Sequence, residues 1–441
     1  MTTRQSVRGA TEPRTCTHPA APRSRTPWVM AGLLFGFTLV AYLDKVVLGL
    51  VAQPVIHELH LSSTQFGFIG TAAGLLGPPA ALLYSFVADR LPTRAALCVL
   101  AVLWSLTQLP LYFAGSATVL LATRFALGAG EGPGFPAAHT TLYTWFPNER
   151  RGLPAALLTS GASVSKLALA PLLTVVIIAF GWQTGFLVVG LAGLVWAAVW
   201  ALAGRRGPYG HEVTHRQGAA GPLAGPRAPL RTILLTRTFI GSVIGLFVSN
   251  MLIAVVLTWL PSYFQTTLGF SEATAGSLFG LPNVAGLVFL FGLGWWSDRR
   301  LRRGTPSRGS RGLAGGAVLL AGGVLLALIP LSDTVPMALL LVVLGYGLTL
   351  AIQSVANPAA AEIAPVGQRA RVLAVALAFG AVGGILSPWL SGVVLDAAKT
   401  PAEGYSHAFL LLGVVISAGG LLYGFLVDPD RDRQRVMAAA T

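Results

Sequence analysis

The stretch WVMAGLLFGFTLVAYLDKVVLGL, residues 28–50, is apolar over almost its whole length and carries two adjacent charges, Asp44 and Lys45. A helix of about 20 apolar residues is long enough to cross the hydrocarbon core of a bilayer. The stretch therefore predicts a membrane-spanning helix, and a series of runs of similar length and character follows it along the chain. Together these runs predict an all-α membrane protein with 12 transmembrane helices.

The overall composition agrees with this fold class. The chain has 441 residues, of which 54% are apolar and only 10% are charged. A soluble domain carries about 25% charged residues, so a soluble enzyme, a disulfide scaffold and a nucleic-acid-binding module are all disfavoured. The two cysteines, Cys16 and Cys98, do not look like a disulfide pair, and no Cys/His spacing is typical of a zinc site. We therefore expect no metal and no cofactor.

The apolar runs fall into two sets of six, which predicts two pseudo-symmetric six-helix bundles. The expected units are a disordered cytoplasmic tail (1–27), an N-terminal bundle (28–203), a cytoplasmic linker (204–238), a C-terminal bundle (239–427) and a cytoplasmic tail (428–441). The predicted helices are 28–50, 65–87, 95–114, 118–145, 153–180, 184–203, 239–264, 272–296, 312–330, 335–361, 371–395 and 406–427.

The net charge of +14 is a topology signal and gives no evidence for a nucleic-acid partner. With both termini on one side of the membrane, 26 of the 30 Lys and Arg residues fall in segments on that side. The loops on the opposite side hold only Lys399. Because cytoplasmic loops carry the excess of Lys and Arg, both termini are expected in the cytoplasm, and the protein in the inner (plasma) membrane.

The two halves also repeat one another. SFVADRLPTR (85–94) follows the second helix and GWWSDRRLRR (294–303) follows the eighth, each with an Asp four residues after a small residue and an Arg directly after it. Two related halves around a site near the middle of the membrane are a common transporter plan. The residues expected to latch the cytoplasmic face are Asp89, Arg90, Arg94, Glu149, Arg150, Asp298 and Arg299.

These two loops resemble the major facilitator superfamily motif G-x-x-x-D-R/K-x-G-R/K-R/K, although Ser85 and Pro92 replace its glycines in the first copy. A more specific pattern is RFALGAGEGPGFPAAHTTLYTWFPNERRGLPAALLTSGAS (124–163), which closely resembles the anion:cation symporter family. AYLDKVVL (41–48) and TWLPSYF (258–264) also look like elements of that family. The resemblance implies proton-coupled symport of an organic anion, such as a sugar acid, an aromatic acid or a dicarboxylate.

Three positions depart from the family pattern. Lys45 stands where the family usually has Arg, Lys166 where a small residue is usual, and Ala381 where helix 11 often carries Asn. The pattern of cations is therefore altered, and the resemblance does not name the anion.

Five charged residues stand out inside the predicted spans: Asp44, Lys45, Arg124, Glu131 and Lys166. Each such residue costs about 2.5–3.5 kcal/mol at the centre of a span on an insertion scale, and such residues are usually functional. Three cations against two acids suit an anionic substrate. We predict that Lys45, Arg124 and Lys166 bind substrate and that Asp44 and Glu131 carry protons.

Spacing limits which of these groups face each other. Arg124 and Glu131 are seven residues apart and share one helix face, whereas the adjacent Asp44 and Lys45 point about 100° apart. Glu131 lies in a run of Gly and Pro that should break or kink helix 4. Two alternatives stay open: Arg124 and Glu131 form buried ion pairs that fix helix 4 against helix 1, and Lys166 pairs structurally with Glu131 instead of facing the cavity.

Neutral polar residues at mid-depth could bind substrate hydroxyls or bridge helices. The remaining residues predicted to bind substrate are Tyr42, Asn250, Asn283, Gln353 and Asn357.

The sequence thus predicts a secondary active transporter that works by alternating access, a monomer in the lipid bilayer whose ligands are a small organic anion and protons. A drug:proton antiporter is an alternative, but SGASVSKLALAPLL (160–173) lacks the G-x-x-x-G-P-x-x-G-G pattern usual in that group. A transporter-like sensor that binds an anion and signals is a second alternative. No Ser-His, paired-Asp or metal-ligand arrangement supports an enzyme.

Overall fold

The computed structural model describes residues 26–87, 93–146, 152–205, 207–208, 228–365 and 368–439. Within these ranges the chain is helical and contains no strand. Eleven helices are long and apolar enough to cross a membrane. A further apolar segment, fourth in the chain, is interrupted near its middle. The all-helical membrane fold predicted from the sequence is therefore confirmed.

The first six spans form the N-terminal half. They are α1 (Thr26–Leu50), α2 (Ser63–Val87), α3 (Thr93–Gln108), α4 (Ala117–Glu131 and Gly134–Tyr143), α5 (Gly152–Val164, a π-helical turn Ser165–Leu169 and Ala170–Phe180) and α6 (Trp182–Ala203). The short helices Ala52–Glu58 and Pro110–Phe113 follow α1 and α3. The interruption of α4 lies in its run of Gly and Pro, as predicted.

The C-terminal half has the same number of spans. They are α7 (Arg237–Thr266), α8 (Glu272–Leu278 and Leu281–Arg302), α9 (a π-helical turn Arg308–Leu313 and Ala314–Ala327), α10 (Val335–Ala351 and Gln353–Glu362), α11 (Arg369–Asp396) and α12 (Pro401–Leu426). A short helix, Leu230–Leu234, precedes α7, and α13 (Pro429–Ala438) follows α12.

Aromatic packing sets the orientation of α1. The ring of Phe37 lies 5.0 Å from Trp104 of α3 and 5.0 Å from Trp196 of α6, measured between centroids. The indole nitrogen of Trp196 donates a hydrogen bond to the carbonyl of Leu33 at 2.7 Å. Asp44 lies two helical turns beyond Phe37 on the same face of α1, so this packing directs its carboxylate toward α3.

We call the side of the membrane at which α1 begins the near side and the opposite side the far side. On the far side the two halves touch at the ends of α1 and α7, where a β-carbon at Gly49 would overlap the carbonyl oxygen of Leu257. Just beyond α1, the Gln53 amide donates a hydrogen bond to the hydroxyl of Ser262. These contacts require a backbone approach that only glycine permits at Gly49.

A second far-side contact joins α2 to α11. The carboxylate of Asp396, at the end of α11, accepts hydrogen bonds from the backbone nitrogens of Ser63 at 2.8 Å and Thr64 at 2.7 Å. A carboxylate at a helix N-terminus satisfies amides that have no partner within the helix and also interacts favourably with the helix dipole. The structure is therefore of a state in which the far side is closed.

The segment after the predicted eighth helix is not a loop, and that expectation was wrong. α8 continues to Arg302, so Asp298 and Arg299 lie on its last turns. No helix-breaking residue occurs before Gly304, whose φ of +79° ends the segment. Arginines in the last turn also favour the helix because they oppose the negative end of its dipole.

The expected linker and C-terminal tail include ordered contacts. The side chain of Gln368 and the backbone of Ala228 exchange two hydrogen bonds, of 3.1 and 2.8 Å. In the tail, Asp432 of α13 accepts a hydrogen bond of 2.8 Å from the backbone nitrogen of Thr238. α13 is thereby attached to the beginning of α7.

Candidate functional site

A cavity of about 460 Å³ lies between the two halves. Its walls come from α1, α2 and α4 of the N-terminal half and from α7 and α11 of the C-terminal half. The charged groups among its lining residues are Asp44, Lys45, Arg124 and Glu131. All of them belong to the N-terminal half, so the cavity has one charged wall and one largely apolar wall.

The deeper part of the charged wall is a network of three buried side chains. A guanidinium nitrogen of Arg124 lies 3.4 Å from a carboxylate oxygen of Asp44. Gln108 of α3 joins them, because its amide nitrogen donates to Asp44 while its amide oxygen accepts from Arg124. A buried ion pair is tolerated when further hydrogen bonds satisfy the two charges, and Gln108 supplies one to each. The Nε of Arg124 is buried without a partner among the described residues.

The second ion pair faces the cavity. The Lys45 ammonium lies 2.9 Å from a carboxylate oxygen of Glu131, with 38% of the Lys45 side chain and 10% of the Glu131 side chain exposed. The same ammonium lies 5.3 Å from the ring centre of Tyr42 and 5.4 Å from that of Phe135. The adjacent Asp44 and Lys45 thus take different partners, as their angular separation predicted.

Glu131 is the last residue of the first segment of α4. Gly132 and Pro133 separate it from the second segment. Both residues keep helical dihedral angles, and the nitrogen of Gly132 still donates a hydrogen bond to the carbonyl of Gly128, so α4 is distorted here without a reversal of the chain. Helix interruptions are tolerated at this depth where the freed backbone lines a cavity, and Gly132 is a lining residue.

Lys166 lies elsewhere and does not line the cavity in this state. It sits in the π-helical turn of α5, is 5% exposed, and donates a hydrogen bond of 2.9 Å to the side-chain oxygen of Asn283. The hydroxyl of Tyr346 donates to the same oxygen at 3.2 Å. Glu131 pairs with Lys45, so the structural pairing of Lys166 with Glu131 that the sequence left open is not formed.

The other predicted polar residues are dispersed. Asn250 lines the cavity, and its amide donates to the carbonyl of Leu246 in its own helix at 2.8 Å. Gln353 donates to Ser249 at 3.4 Å, and Asn357 donates to the carbonyl of Gln353 at 3.1 Å. Neither Gln353 nor Asn357 is a lining residue of the cavity.

The predicted gating residues can be followed only in part. Asp89, Arg90, Glu149 and Arg150 lie outside the described residues. Arg94 donates a hydrogen bond to the carbonyl of Ala201, which joins α3 to α6 within one half instead of joining the two halves.

On the C-terminal side, Arg299 and Asp298 are exposed. The guanidinium of Arg299 lies 5.3 Å from the ring centre of Trp295.

The sequence did not single out three polar residues that the structure brings to the site. Gln108 holds the Asp44–Arg124 pair, and the threonines Thr71 and Thr258 line the cavity. The Thr71 hydroxyl is buried without a hydrogen-bond partner among the described residues. The one amide side chain of α3 was the available signal for Gln108, and it does not by itself indicate which groups the amide contacts.

Comparison with known proteins assigns this architecture. The sequence model of the Major Facilitator Superfamily matches residues 33–356. The chain is 28% identical to the probable sulfoacetate transporter SauU of Cupriavidus necator, over 92% of this chain and 94% of that protein. It is 25% identical to the probable galactarate/D-glucarate transporter GudP (93% and 94%) and 27% identical to the hexuronate transporter (86% and 90%), both of Bacillus subtilis.

Solved structures share the fold. The inward-facing, unoccupied structure of a bacterial homologue of the human lysosomal transporter Spinster has a TM-score of 0.74 at 17% identity, covering 93% of this chain and 98% of that one. The D-xylose–proton symporter has a TM-score of 0.72 at 16% identity, covering 91% and 98%.

Proposed function

The chain belongs to the Major Facilitator Superfamily, and we propose that it carries an organic anion together with protons through the cavity between its halves. It is a multi-span membrane transporter and not an enzyme. The relatives named above are described as transporters of sulfoacetate, galactarate or D-glucarate, and hexuronate, which are organic acids that are ionised at neutral pH.

The observation that carries the proposal is the ion pair between Lys45 and Glu131 on the cavity wall, at 2.9 Å. A cation in a site of low polarity needs a negative partner, because an unpaired buried charge costs several kcal/mol. Protonation of Glu131 removes that partner, and a substrate carboxylate then takes its place beside Lys45. Binding of the anion and binding of the proton favour each other in this way.

The deeper Asp44–Arg124 pair allows the same replacement of a protein carboxylate by a substrate carboxylate. Protonation of Asp44 would leave Arg124 with the neutral amide of Gln108 as its partner among the groups that contact it here. Arginine presents a planar set of donors that matches a carboxylate in two parallel hydrogen bonds. We assign Arg124 to the carboxylate and Asp44 to a second proton.

The energy for uptake comes from the membrane. Each pH unit across it supplies about 1.4 kcal/mol per proton. Each net charge moved through 100 mV supplies about 2.3 kcal/mol. The positive-inside rule supports a cytoplasmic near side. We propose a bacterial-type inner membrane and a monomer that opens alternately to each side.

Transport by the purified protein in liposomes tests the proposal. Radiolabelled glucarate, galacturonate and sulfoacetate are offered with an acid exterior, with no pH difference, and with a protonophore. We expect at least one anion to accumulate above its external concentration only when the pH difference is present. Binding without accumulation or exchange would favour a sensor. Proton-driven extrusion of a cationic drug would favour an antiporter. Either result would refute the proposal.

A further inference from the structure

Lys166 has no carboxylate partner among the residues that the structure describes. The other two intramembrane cations, Lys45 and Arg124, form ion pairs with Glu131 and Asp44. The contact made by the Lys166 ammonium is to the neutral side chain of Asn283. An ammonium that is buried without a negative partner is costly, so an anion that reaches it is stabilising.

The contact that Lys166 makes crosses between the two halves. Lys166 belongs to α5 of the N-terminal half, whereas Asn283 belongs to α8 of the C-terminal half. The backbones approach closely here, since a β-carbon at Gly280 would lie 2.8 Å from the carbonyl oxygen of Lys166. This contact can persist only while α5 and α8 stay together.

The site also contains a buried hydrogen-bond donor that has no acceptor among the described residues. The side-chain nitrogen of Asn283 is buried without a hydrogen-bond partner among the described residues, and the side chain is 4% exposed. An unsatisfied buried donor costs about 1–3 kcal/mol, so the contact in the closed state is weakened and can be given up when the halves part. π-helical turns such as the one that carries Lys166 also occur frequently at functional sites.

We propose that Lys166 binds the second acidic group of a dianionic substrate while the far side is open, and that Asn283 displaces this group as the far side closes. The inference rests on the proposed function, because it assumes that a first acidic group binds at Lys45 and Arg124. When the halves part on the far side, α5 moves away from α8 and the Lys166 ammonium loses Asn283. A carboxylate or sulfonate then replaces the amide oxygen.

The balance of charge favours a substrate with two acidic groups over a substrate with one. With Glu131 protonated, Lys45 and Lys166 both lack a negative partner among the described residues. The turn that carries Lys166 packs on α1, the helix of Lys45, where the Ser165 hydroxyl donates a hydrogen bond to the carbonyl of Leu39 at 2.7 Å. A monoanion neutralises one of these ammoniums and leaves the other buried and unpaired, whereas a dianion neutralises both. Closure of the far side then restores the Lys166–Asn283 contact, weakens the hold on the second group and favours release to the near side.

Binding to purified protein tests the inference with matched pairs of acids that differ by one acidic group: glucarate and gluconate, succinate and butyrate, sulfoacetate and acetate. Lys166→Met removes the charge, and Lys399→Met removes a charge from an exposed far-side loop as a control. We expect Lys166→Met to lower the affinity for the bound dianion more than tenfold and to change that for its monoanionic partner less than twofold. Lys399→Met should change neither.

Equal losses for both members of a pair, or a wild-type protein that binds both equally, would refute the second subsite while leaving anion transport intact. A wild-type protein that binds and transports none of these acids would instead refute the proposed function, and the inference with it. If Lys166→Met does not fold, the variant Asn283→Ala tests the exchange between Asn283 and the substrate instead. Removal of the competing amide should raise the affinity for the dianion and slow its release to the near side, and unchanged values of both would refute the exchange.

Discussion

The ammonium of Lys45 lies 2.9 Å from the carboxylate of Glu131, and this contact joins α1 to the point where α4 is interrupted. Glu131 lies directly before Gly132 and Pro133, the residues that separate the two segments of α4. The pair is also the most exposed charged contact on the cavity wall, since the Asp44–Arg124 pair is almost fully buried. Substrate and proton can therefore reach Lys45 and Glu131 before they reach the deeper pair.

Glu131→Gln should uncouple the proton from the anion. The amide imitates the protonated acid, so Lys45 stays available for the anion but no proton is bound or released. We expect accumulation driven by a pH difference to fall at least tenfold in liposomes, while exchange of internal for external anion changes less than threefold. Glu272→Gln, in an exposed turn at the start of α8, is the matched control. Full pH-driven accumulation by Glu131→Gln would exclude Glu131 as the coupling residue.

Gln108→Leu should destabilise the N-terminal half. The substitution keeps a similar volume but removes the donor to Asp44 and the acceptor from Arg124, which are both buried. Loss of buried hydrogen bonds to charged groups costs about 1.5–3 kcal/mol each. We expect a clear fall in the thermal unfolding midpoint in detergent. Gln183→Leu removes a more exposed hydrogen bond, to Glu58, and should have a much smaller effect; equal effects would mean that the buried network adds no stability.

Asp396→Ala should shift the protein toward the state in which the far side is open. Its carboxylate accepts two backbone hydrogen bonds from α2, and the far-side contact is weakened without it. Each 1.4 kcal/mol lost would change the ratio of the two states about tenfold. The change can be measured with a cysteine at Ala254 on the cavity wall, in a protein whose two native cysteines are replaced by Ser. The readout is the rate at which an impermeant reagent labels Ala254→Cys from the far side. The labelling rate should rise several-fold in Asp396→Ala. It should not rise in the control Asp333→Ala, which removes an exposed acid on the far side.

The attachment of α13 to the beginning of α7 should weaken at acid pH. Burial by itself would raise the pKa of Asp432, but hydrogen bonds from Arg431 and Thr238 outweigh it and hold the pKa below its usual value. A lowered pKa means that the stabilisation is complete above the pKa of the unfolded form, about 3.9, and is lost as the pH falls through the folded value.

Hydrogen exchange of the amides of α13 measures this attachment. We expect protection to be constant from pH 7 to pH 5 and to fall below pH 4, after correction for the intrinsic exchange rate. Asp432→Asn should show low protection throughout this range. Protection in the variant equal to that of the wild type at pH 7 would show that the carboxylate does not hold α13.

The spans and the break in α4 could be predicted because each depends on local properties of the chain. Runs of apolar residues specify the spans, and the Gly/Pro run around Glu131 specifies the interruption. The end of α8 was misplaced because a run of Arg resembles a loop in a hydropathy profile, although it remains compatible with helix.

The pairing of the charges could not be predicted, because it depends on how the helices pack. The sequence left open a buried ion pair between helix 4 and helix 1 and a pair of Glu131 with Lys166. Only the packing of α1 against α4 places Lys45 beside Glu131. Lys166 lies in a π-helical turn and contacts Asn283 of α8, and no sequence pattern indicated that turn. Gln108 was missed because a single amide in an apolar span has no pattern that marks it as a bridge between two charges.

Every ion pair among the described residues joins two groups of the same half: Lys45 with Glu131 and Arg124 with Asp44 in one, and pairs such as Arg311 with Glu362 in the other. The described side-chain hydrogen bonds between the halves, such as those of Asn283 and Asp396, have at most one ionised partner. Among the described residues, rocking of the halves therefore pulls no pair of opposite charges apart. These residues then add no cost of charge separation to the barrier, and their contacts should give the rate of empty-carrier reorientation no dependence on ionic strength.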